Sequence, residues 1–428
     1  MPMLDIAILE GVRTPFAKAY GPLAAIPAHQ LGVLAARALF QKVQIRPEQI
    51  DQVIFGNVVL PAEAANIARV IALLAGVPED RIAHTVQRNC ASGMEAITTA
   101  AHLIQLGEAK TILAGGTESM SQIPLLYNWD ATALFLRLSR ARGWWQRLRT
   151  LLEFRPRHFR PLPAVKLGLT DVVSGMIMGE TAEVLAEEFQ ISRRVQDEFA
   201  LESHQKAVAA QKRCVLTEEI APISADLVSQ EITQDVGPRA DQSLEALAKL
   251  KPYFKEGGTV TVGNSCPLTD GAAAVLVMPG EPARAEGRRP IGYLRAFAYA
   301  GCDPRRMGLG PAFATSKLLE RTGMKLSDID LIEMNEAFAA QIMANEKAFA
   351  STQFAQEQLA RKEALGAIDR ARLNVNGGAI ALGHPVGATG ARLVITLLKE
   401  LRRRGLHRGL ATLCVGGGQG AALLLETA

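Results

Sequence analysis

Four short segments of the chain each place a potentially reactive side chain beside glycines at the end of a secondary-structure element. In Val86-Gln-Arg-Asn-Cys90-Ala-Ser-Gly93-Met the pattern reads as a strand end, a tight turn and a helix start, so Cys90 stands near a helix N-terminus. There, unsatisfied backbone N–H groups and the positive end of the helix dipole favour thiolate over thiol. The alternative for such a residue is burial without reactivity, the commonest fate of a free cysteine. In Asn376-Gly-Gly-Ala-Ile-Ala-Leu-Gly-His384-Pro-Val-Gly-Ala-Thr-Gly390 a histidine sits in a glycine-dense turn. Pro385, lacking an N–H, suits the first turn of a following helix, which leaves His384 presented as a base or simply as a cap. The string follows neither GxGxxG nor GxxxxGK[ST], which argues against a nucleotide loop.

The third segment, Leu413-Cys414-Val-Gly-Gly-Gly-Gln-Gly420, runs a strand into four glycines within five residues. Side chains are given up there for backbone N–H groups of the kind an oxyanion hole needs, with Cys414 alongside. The fourth, Glu333-Met-Asn335-Glu336-Ala-Phe338, sets Asn335 at a strand-to-helix junction. As an N-cap it needs no further role, but an amide there can also hold a water against a reacting oxygen. Two cysteines, a histidine and an asparagine so placed suit carbon–carbon chemistry on a thioester. One thiolate accepts an acyl group, the imidazole activates it, and the second sulfur moves a proton at the α-carbon.

The elements that must carry these groups alternate. Strands are expected at 5–10, 52–56 and 111–115, with helices at 31–40, 65–74 and 93–106, which is the pattern of layered α/β packing. From about 130 to 258 it changes to a basic stretch, helices at 181–189 and 195–211, and an irregular acidic region at 216–242, read as an inserted domain. Alternation then resumes, with apolar strand-like runs at 272–278 and 291–299, further elements at 329–334 and 337–345, a glycine-rich turn at 377–390, a helix at 391–403 and a strand at 410–413. The halves rhyme: each has a glycine-containing turn (Cys90 in one, His384 in the other) that opens a helix, a strand, and a run of glycines. A duplicated α/β half delivering chemistry at one end of its sheet follows.

At 428 residues the chain is roughly three ~150-residue domain lengths. With 48% apolar and 21% charged residues it is neither disordered, collagen-like nor a small disulfide scaffold. Cys90, Cys214, Cys266, Cys302 and Cys414 form no CxxC pair, so no disulfide framework or metal site is expected and a reducing compartment fits. The start, MPMLDIAILEGVRTPF, shows no secretion or transit signal, which points to the cytoplasm. The charge-poor stretches 19–36 and 373–391 are broken by prolines, glycines and polar residues and do not read as membrane spans.

The overall charge of +4 conceals a local concentration: residues 131–166 hold eight arginines and one lysine against the single acid Glu153, a net +8. Trp129, Trp144 and Trp145 lie in or beside this segment. Leu134, Leu138, Ala141, Trp145, Leu148 and Leu152 step at helical spacing along one face, with Gly143 a possible break, while Arg137, Arg140, Arg147 and Arg149 lie elsewhere around the helix. Such a helix suits peripheral contact of 134–152 with an anionic membrane, or ordinary packing on its own protein. No nucleic-acid-binding fold accompanies the charge.

In order and spacing, the four segments resemble the thiolase family across essentially the whole chain. So do Ala114-Gly-Gly-Thr-Glu-Ser-Met120, Met178-Gly-Glu-Thr-Ala-Glu183 and Gly258-Thr-Val-Thr-Val-Gly-Asn-Ser-Cys-Pro-Leu-Thr-Asp-Gly-Ala272. The resemblance implies the thiolase fold: two similar α/β halves in αβαβα layers plus an inserted loop domain. The first half would be 1–130, completed by about 259–280, the loop domain 131–258, and the second half 281–428. It implies Cys90 as acyl acceptor, His384 as its base and Cys414 as acid/base at the acetyl α-carbon. Asn335, through a water, would form one oxyanion hole with His384, and the N–H groups of Cys90 and Gly416 the other. Coenzyme A, as substrate and with no prosthetic group, would be clasped by the loop domain, with Met178, Arg239, Cys266, Met307 and Phe338 near it and Arg239 toward the nucleotide end.

Within the family, the basic insertion, His158-Phe-Arg-Pro-Leu-Pro163 and Asn264-Ser-Cys-Pro-Leu-Thr-Asp-Gly271 look most like the thiolase (β) subunit of fatty-acid oxidation complexes, whose α subunit carries hydratase and dehydrogenase activities. That subgroup often has His where this chain has Asn335, and many short-chain members have His at the place of Ile177 and Ser at that of Cys266. The implied reaction is CoA-dependent cleavage of 3-ketoacyl-CoA to acetyl-CoA and an acyl-CoA two carbons shorter, by a homodimer or dimer of dimers. The same residues would serve the reverse, biosynthetic condensation of two acetyl-CoA. A non-catalytic lipid carrier or scaffold on this fold would be marked by loss of Cys90, His384 or Cys414, and all three are present.

Overall fold

A computed structural model describes residues 5–427, so the first four residues of the leader reading lie outside it. In chain order the first part contains β1 (Ile6–Arg13), β2 (Ala17–Lys18), α1 (Ala28–Val43), β3 (Gln52–Gly56), α2 (Ile67–Ala75), β4 (Ile82–Val86), α3 (Ser92–Gln105) and β5 (Ile112–Ser119). A long excursion follows with β6 (Leu125–Leu126), α4 (Trp129–Arg140), α5 (Trp144–Leu152), β7 (Leu162–Pro163), α6 (Ala164–Gly168), α7 (Met178–Glu188), α8 (Arg193–Lys212) and α9 (Leu244–Ala248). The chain then returns through β8 (Thr269–Pro279), α10 (Gly280–Ala285), β9 (Gly292–Gly301), α11 (Gly310–Thr322), β10 (Leu331–Met334), α12 (Ala339–Ala350), α13 (Thr352–Gln358), α14 (Ala379–Leu382), α15 (Val386–Arg404), β11 (Arg408–Val415) and β12 (Gln419–Glu426).

The strands run in the order β10-β11-β12-β9-β1-β8-β5-β3-β4, with β2 beside β8. β3 lies parallel to β4 and β5, and β10 parallel to β11; the remaining pairs of this sheet are antiparallel. β8 re-enters the first half between β1 and β5 after the excursion of 120–268. Its Ala-Ala-Ala-Val-Leu-Val run is buried throughout, as a strand covered on both faces requires. α1 and α2 cover one side of the first half, and α11 covers the far side of the second, backed by α12. α3 and α15 pack on each other between the two, touching β5 and β8 on one side and, through α15, β10 and β11 on the other. Three large apolar clusters fill the spaces between these helices and the two halves of the sheet. Buried Arg13 on β1 ties the excursion to the sheet through Asp235, at 2.6 and 2.7 Å, and Glu219, at 2.6 Å.

The contact between α3 and α15 depends on missing side chains. A Cβ at Gly93 would stand 2.7 Å from Ala391 N, one at Gly390 2.5 Å from Met94 N, and one at Gly116 on β5 1.9 Å from Gly387 O. Two glycines inside α15 each cost roughly 1 kcal/mol against alanine, and here they let the first turns of the two helices and β5 meet backbone to backbone. This also explains a difference from the sequence reading, which begins the helix at 391: the structure starts it at Val386, directly after Pro385, and places α14 within the expected turn. α11 and β12 are absent from that reading. β12 is an unalternating apolar run buried almost throughout, behind a string of glycines, so its sequence carries no period-2 signal.

A β-branched side chain at Gly390 has backbone on its contact side and nowhere to move. Gly390→Val is expected to destabilise the protein by about 1–3 kcal/mol or more through overpacking, seen as a lowered thermal midpoint in circular dichroism. An unchanged midpoint would show that the helix crossing can spread.

The basic segment forms two helices, with Gly143 as N-cap of the second. Its apolar seam is not one buried stripe. Leu134 and Ala141 are buried, whereas Leu148, Trp145 and Leu152 are exposed, the last two at 67% and 78%. No helix among the described residues is long and apolar enough to cross a membrane.

Candidate active site

Cys90 precedes Ala91, the N-cap of α3, and His384 precedes Pro385, the N-cap of α15. Because the two helices touch at their first turns, the residue before each is delivered to one place. That place is a cavity of about 290 Å³ lined by Cys90, His384, Cys414, Gly416, Cys266, Met178, Met307 and Phe338, among others. Val58 and Val59 from the first half and Met120, Ile123, Val165, Leu169 and Val172 from the excursion supply apolar wall.

The Cys90 turn is held by local bonds. Asn89 adopts a left-handed backbone (φ 44°) and its Nδ2 donates to Gly416 O at 2.8 Å, tying the turn to the glycine run after β11. Ser92 Oγ accepts from Arg88 N at 2.9 Å and donates to Asn89 O at 2.7 Å. Burial pushes the Cys90 thiol up to about 11, against the opposing pull of backbone hydrogen bonds from Gly416 and from Cys90 itself. Desolvation here opposes the pull of the helix terminus and favours the thiol. At neutral pH Cys90 is a thiol that needs a base when it reacts.

His384 lines the same cavity. Its N donates to Thr269 Oγ1 at 3.0 Å and its Nδ1 lies 2.6 Å from Thr389 Oγ1, whose hydroxyl donates to Pro385 O at 3.0 Å. With the threonine proton committed to that carbonyl, Nδ1 carries the ring proton and Nε2 holds the lone pair. Nε2 is buried without a partner among the described residues. Burial, and then the charge of Arg392, lowers the imidazole to about 3, so it rests neutral. Arg392 is itself buried on α15 and paired with Glu333 on β10 at 2.9 Å.

Cys414, at the end of β11, is buried, and its thiol is pushed well above the ordinary value by burial and then by the sulfurs of Cys90 and Cys266. Cys266, anchored by its N donating to Ala337 O at 3.0 Å, is raised to about 12 mainly by burial. Asn335 is not among the residues lining the cavity. Its N donates to Thr412 O at 3.0 Å, it is fully buried, and neither side-chain polar atom has a partner among the described residues. A buried amide so placed, like His384 Nε2, is available to a small polar guest.

The cavity brings together Cys90, His384, Cys414, Gly416, Met178, Cys266, Met307 and Phe338 from seven separate parts of the chain. Arg239 is outside this lining: it is exposed, and its N donates to His204 Nδ1 at 3.2 Å. Sequence reasoning missed Asn89 and Thr389, although Thr389, one turn into the helix after His384, could have been found once that helix was started at 386. It also missed the apolar wall of the excursion, whose residues carry no motif.

A thiol, a neutral imidazole and a second thiol, set between two duplicated α/β halves at paired helix starts, define an acyl-transfer site of thiolase type. The N-terminal thiolase domain family matches residues 6–281 and the C-terminal thiolase domain family residues 288–427. The chain belongs to the thiolase family and has its fold. It is 43% identical over 424 residues to the 3-ketoacyl-CoA thiolase of Yersinia enterocolitica, covering 98% of this chain and 96% of that one. It is likewise 43% identical over 425 residues to the protein of the same name from Colwellia psychrerythraea, covering 99% and 97%. Among solved structures, the acetyl-CoA acetyltransferase of Bacillus anthracis matches with a TM-score of 0.87 at 38% identity over the whole of both chains. Human mitochondrial 3-ketoacyl-CoA thiolase in complex with CoA matches with a TM-score of 0.86 at 34% identity, covering 100% of this chain and 98% of that one.

Proposed function

We propose that this chain is a 3-ketoacyl-CoA thiolase of fatty-acid β-oxidation, and that the convergence of Cys90, His384 and Cys414 on one cavity carries the reading. Cys90 loses its proton to His384 Nε2 as the sulfur attacks the 3-keto carbon. The C2–C3 bond breaks, leaving an acyl group on Cys90 and a carbanion at C2 of the departing acetyl-CoA, which takes a proton from Cys414. Incoming CoA gives its thiol proton to Cys414 and attacks the acyl thioester. Cys90 leaves as thiolate and recovers its proton from His384, so every group is restored. A water held by Asn335 would, with His384, stabilise one developing oxyanion, and the N–H groups of Cys90 and Gly416 the other.

The reverse condensation to acetoacetyl-CoA uses the same groups, since a catalyst does not set the direction of an equilibrium. The apolar wall of Val165, Leu169 and Val172 favours a substrate with an alkyl chain. Thiolysis rates for 3-ketoacyl-CoA of four to sixteen carbons test this: activity is expected to persist or rise with length, and activity confined to four carbons favours the biosynthetic reading. A lipid carrier needs none of the three reactive groups and is the poorer fit.

We further read the enzyme as cytoplasmic and a homodimer or dimer of dimers, in which α7 and the rest of the inserted loop domain clasp CoA and Arg239 approaches its nucleotide end. The open edge of β4, where Ile82 is 62% exposed, supports pairing with a second copy. An α subunit bearing hydratase and dehydrogenase activities remains part of this reading. Peripheral contact of 134–152 with an anionic membrane is supported by Trp144, Trp145 and Leu152, which are exposed on the same segment as Arg137, Arg140, Arg147 and Arg149. The protein is expected to co-sediment with anionic vesicles at low salt and to release at high salt. Replacing Arg137, Arg140, Arg147 and Arg149 by Gln should abolish this while sparing four-carbon turnover. Wild-type protein that ignores such vesicles removes the membrane contact and leaves a subunit interface.

A further inference from the structure

Glu118 ends β5 inside the Ala114-Gly-Gly-Thr-Glu-Ser-Met120 string, and the reaction above gives it nothing to do. Its carboxylate is completely buried and has no ion-pair partner among the described residues. Four donors converge on it instead. Oε1 accepts from Asn57 Nδ2 at 2.9 Å and Val59 N at 3.2 Å; Oε2 accepts from Val58 N and Gly387 N, both at 3.0 Å. Val58 and Val59 belong to the cavity wall, and Gly387 is in the first turn of α15, three residues after His384. One oxygen therefore bridges the wall and the helix that presents the imidazole. The fit leaves no slack, because a Cβ at Gly387 would stand 3.0 Å from Oε2 and 2.7 Å from Thr117 O.

A buried carboxylate without a cation is costly to keep, and burial pushes Glu118 up to about 7 despite its four hydrogen bonds. No neutral side chain of the same size replaces it. Glutamine has one acceptor oxygen, and its NH₂ group would face two N–H donors.

We propose that Glu118 is a positioning residue for acyl transfer, clamping the first turn of α15 to the 58–59 wall so that His384 is held against Cys90. This rests on the reading of Cys90 as acyl acceptor and His384 as its base. The same carboxylate adds to the resistance of the Cys90 thiol to ionisation, as the smallest of its influences. Charge and position can therefore be read separately.

The test compares Glu118→Gln with Glu118→Asp, which keeps the charge but withdraws both oxygens by one methylene. Three things are measured: kcat and KM in acetoacetyl-CoA thiolysis, folding by circular dichroism, and the pH dependence of Cys90 alkylation by iodoacetamide, followed by peptide mass. Both variants are expected to lose about a hundredfold in kcat, the scale of a small misplacement, with KM for CoA within about threefold and the fold retained. Alkylation should move to lower pH in Glu118→Gln and stay as in wild type in Glu118→Asp, a pattern a merely structural role does not produce. If Glu118→Gln fails to fold, Glu118→Asp alone decides through its kcat. Wild-type kcat in the folded variants, or a kcat loss that only follows the unfolded fraction, overturns the proposal. Wild-type enzyme is run alongside: absence of acyl-Cys90 in it overturns the thiolase reading, whereas its presence with unaffected variants overturns only the role of Glu118.

Discussion

Alanine at His384 is expected to slow acylation of Cys90 by about 10²- to 10⁴-fold, the usual contribution of a positioned general base. The thiol is held up to about 11 by burial, so at neutral pH only a trace is thiolate. The imidazole rests neutral, with its lone pair on the Nε2 that has no other partner. The pH dependence separates the two enzymes. Without His384 the nucleophile must come from the thiolate already present, which grows about tenfold per pH unit below the thiol's value, so the variant's rate should climb steeply up to pH 10. Wild-type rate should be much flatter across pH 6.5–9, because the proton moves internally. Single-turnover acylation from acetyl-CoA measures both, and equal slopes would remove His384 as the base.

The second large effect separates the two sulfurs. Cys414→Ala should still acylate Cys90 from a simple acyl-CoA, because the departing CoA thiolate, unlike a carbanion, is a stable leaving group that solvent can protonate in place of Cys414. It should lose exchange of the acetyl-CoA α-proton with solvent, and with it thiolysis, by several orders of magnitude. The buried, strongly raised Cys414 thiol is suited to that step, since it holds its proton until a carbanion develops beside it. Exchange in deuterated water, followed by mass spectrometry, is the readout. Normal exchange in the variant would hand the proton to another group, with Cys266 in the same cavity the first candidate.

Much of this site was legible because its chemistry is written in rare residue types at element ends. Cys90, His384 and Cys414 each stand out against glycines, and the rhyme between the two halves already suggested that their turns open on the same end of the sheet. The reason the turns converge was not legible. It lies in Gly93, Gly116, Gly387 and Gly390, the last two of which read as turn in the sequence, and which in the structure are helix or strand surfaces pressed together. That misreading displaced the start of α15 by five residues and hid Thr389, which fixes the His384 tautomer.

The state of Cys90 was not legible either, because a helix terminus is visible in a sequence and the desolvation that opposes it is not. The +8 arm shows a third kind of limit. Its helical spacing was real, but the break at Gly143 turns the two short helices independently, so one seam of residues became a partly buried α4 and an exposed α5. Arg239, chosen from resemblance alone, lies away from the cavity on the excursion's surface, where no local pattern could have fixed its distance from the thiol.

The account stands most directly on where the acyl group goes. The enzyme is incubated with 3-ketohexadecanoyl-CoA in the absence of free CoA, quenched in acid, and digested for peptide mass spectrometry. The account predicts a hexadecanoyl chain shortened by two carbons, a tetradecanoyl mass, on the peptide containing Cys90, discharged when CoA is added. Acylation at Cys266 or Cys414 with Cys90 unmodified, or turnover with no acyl-enzyme at all, would contradict it.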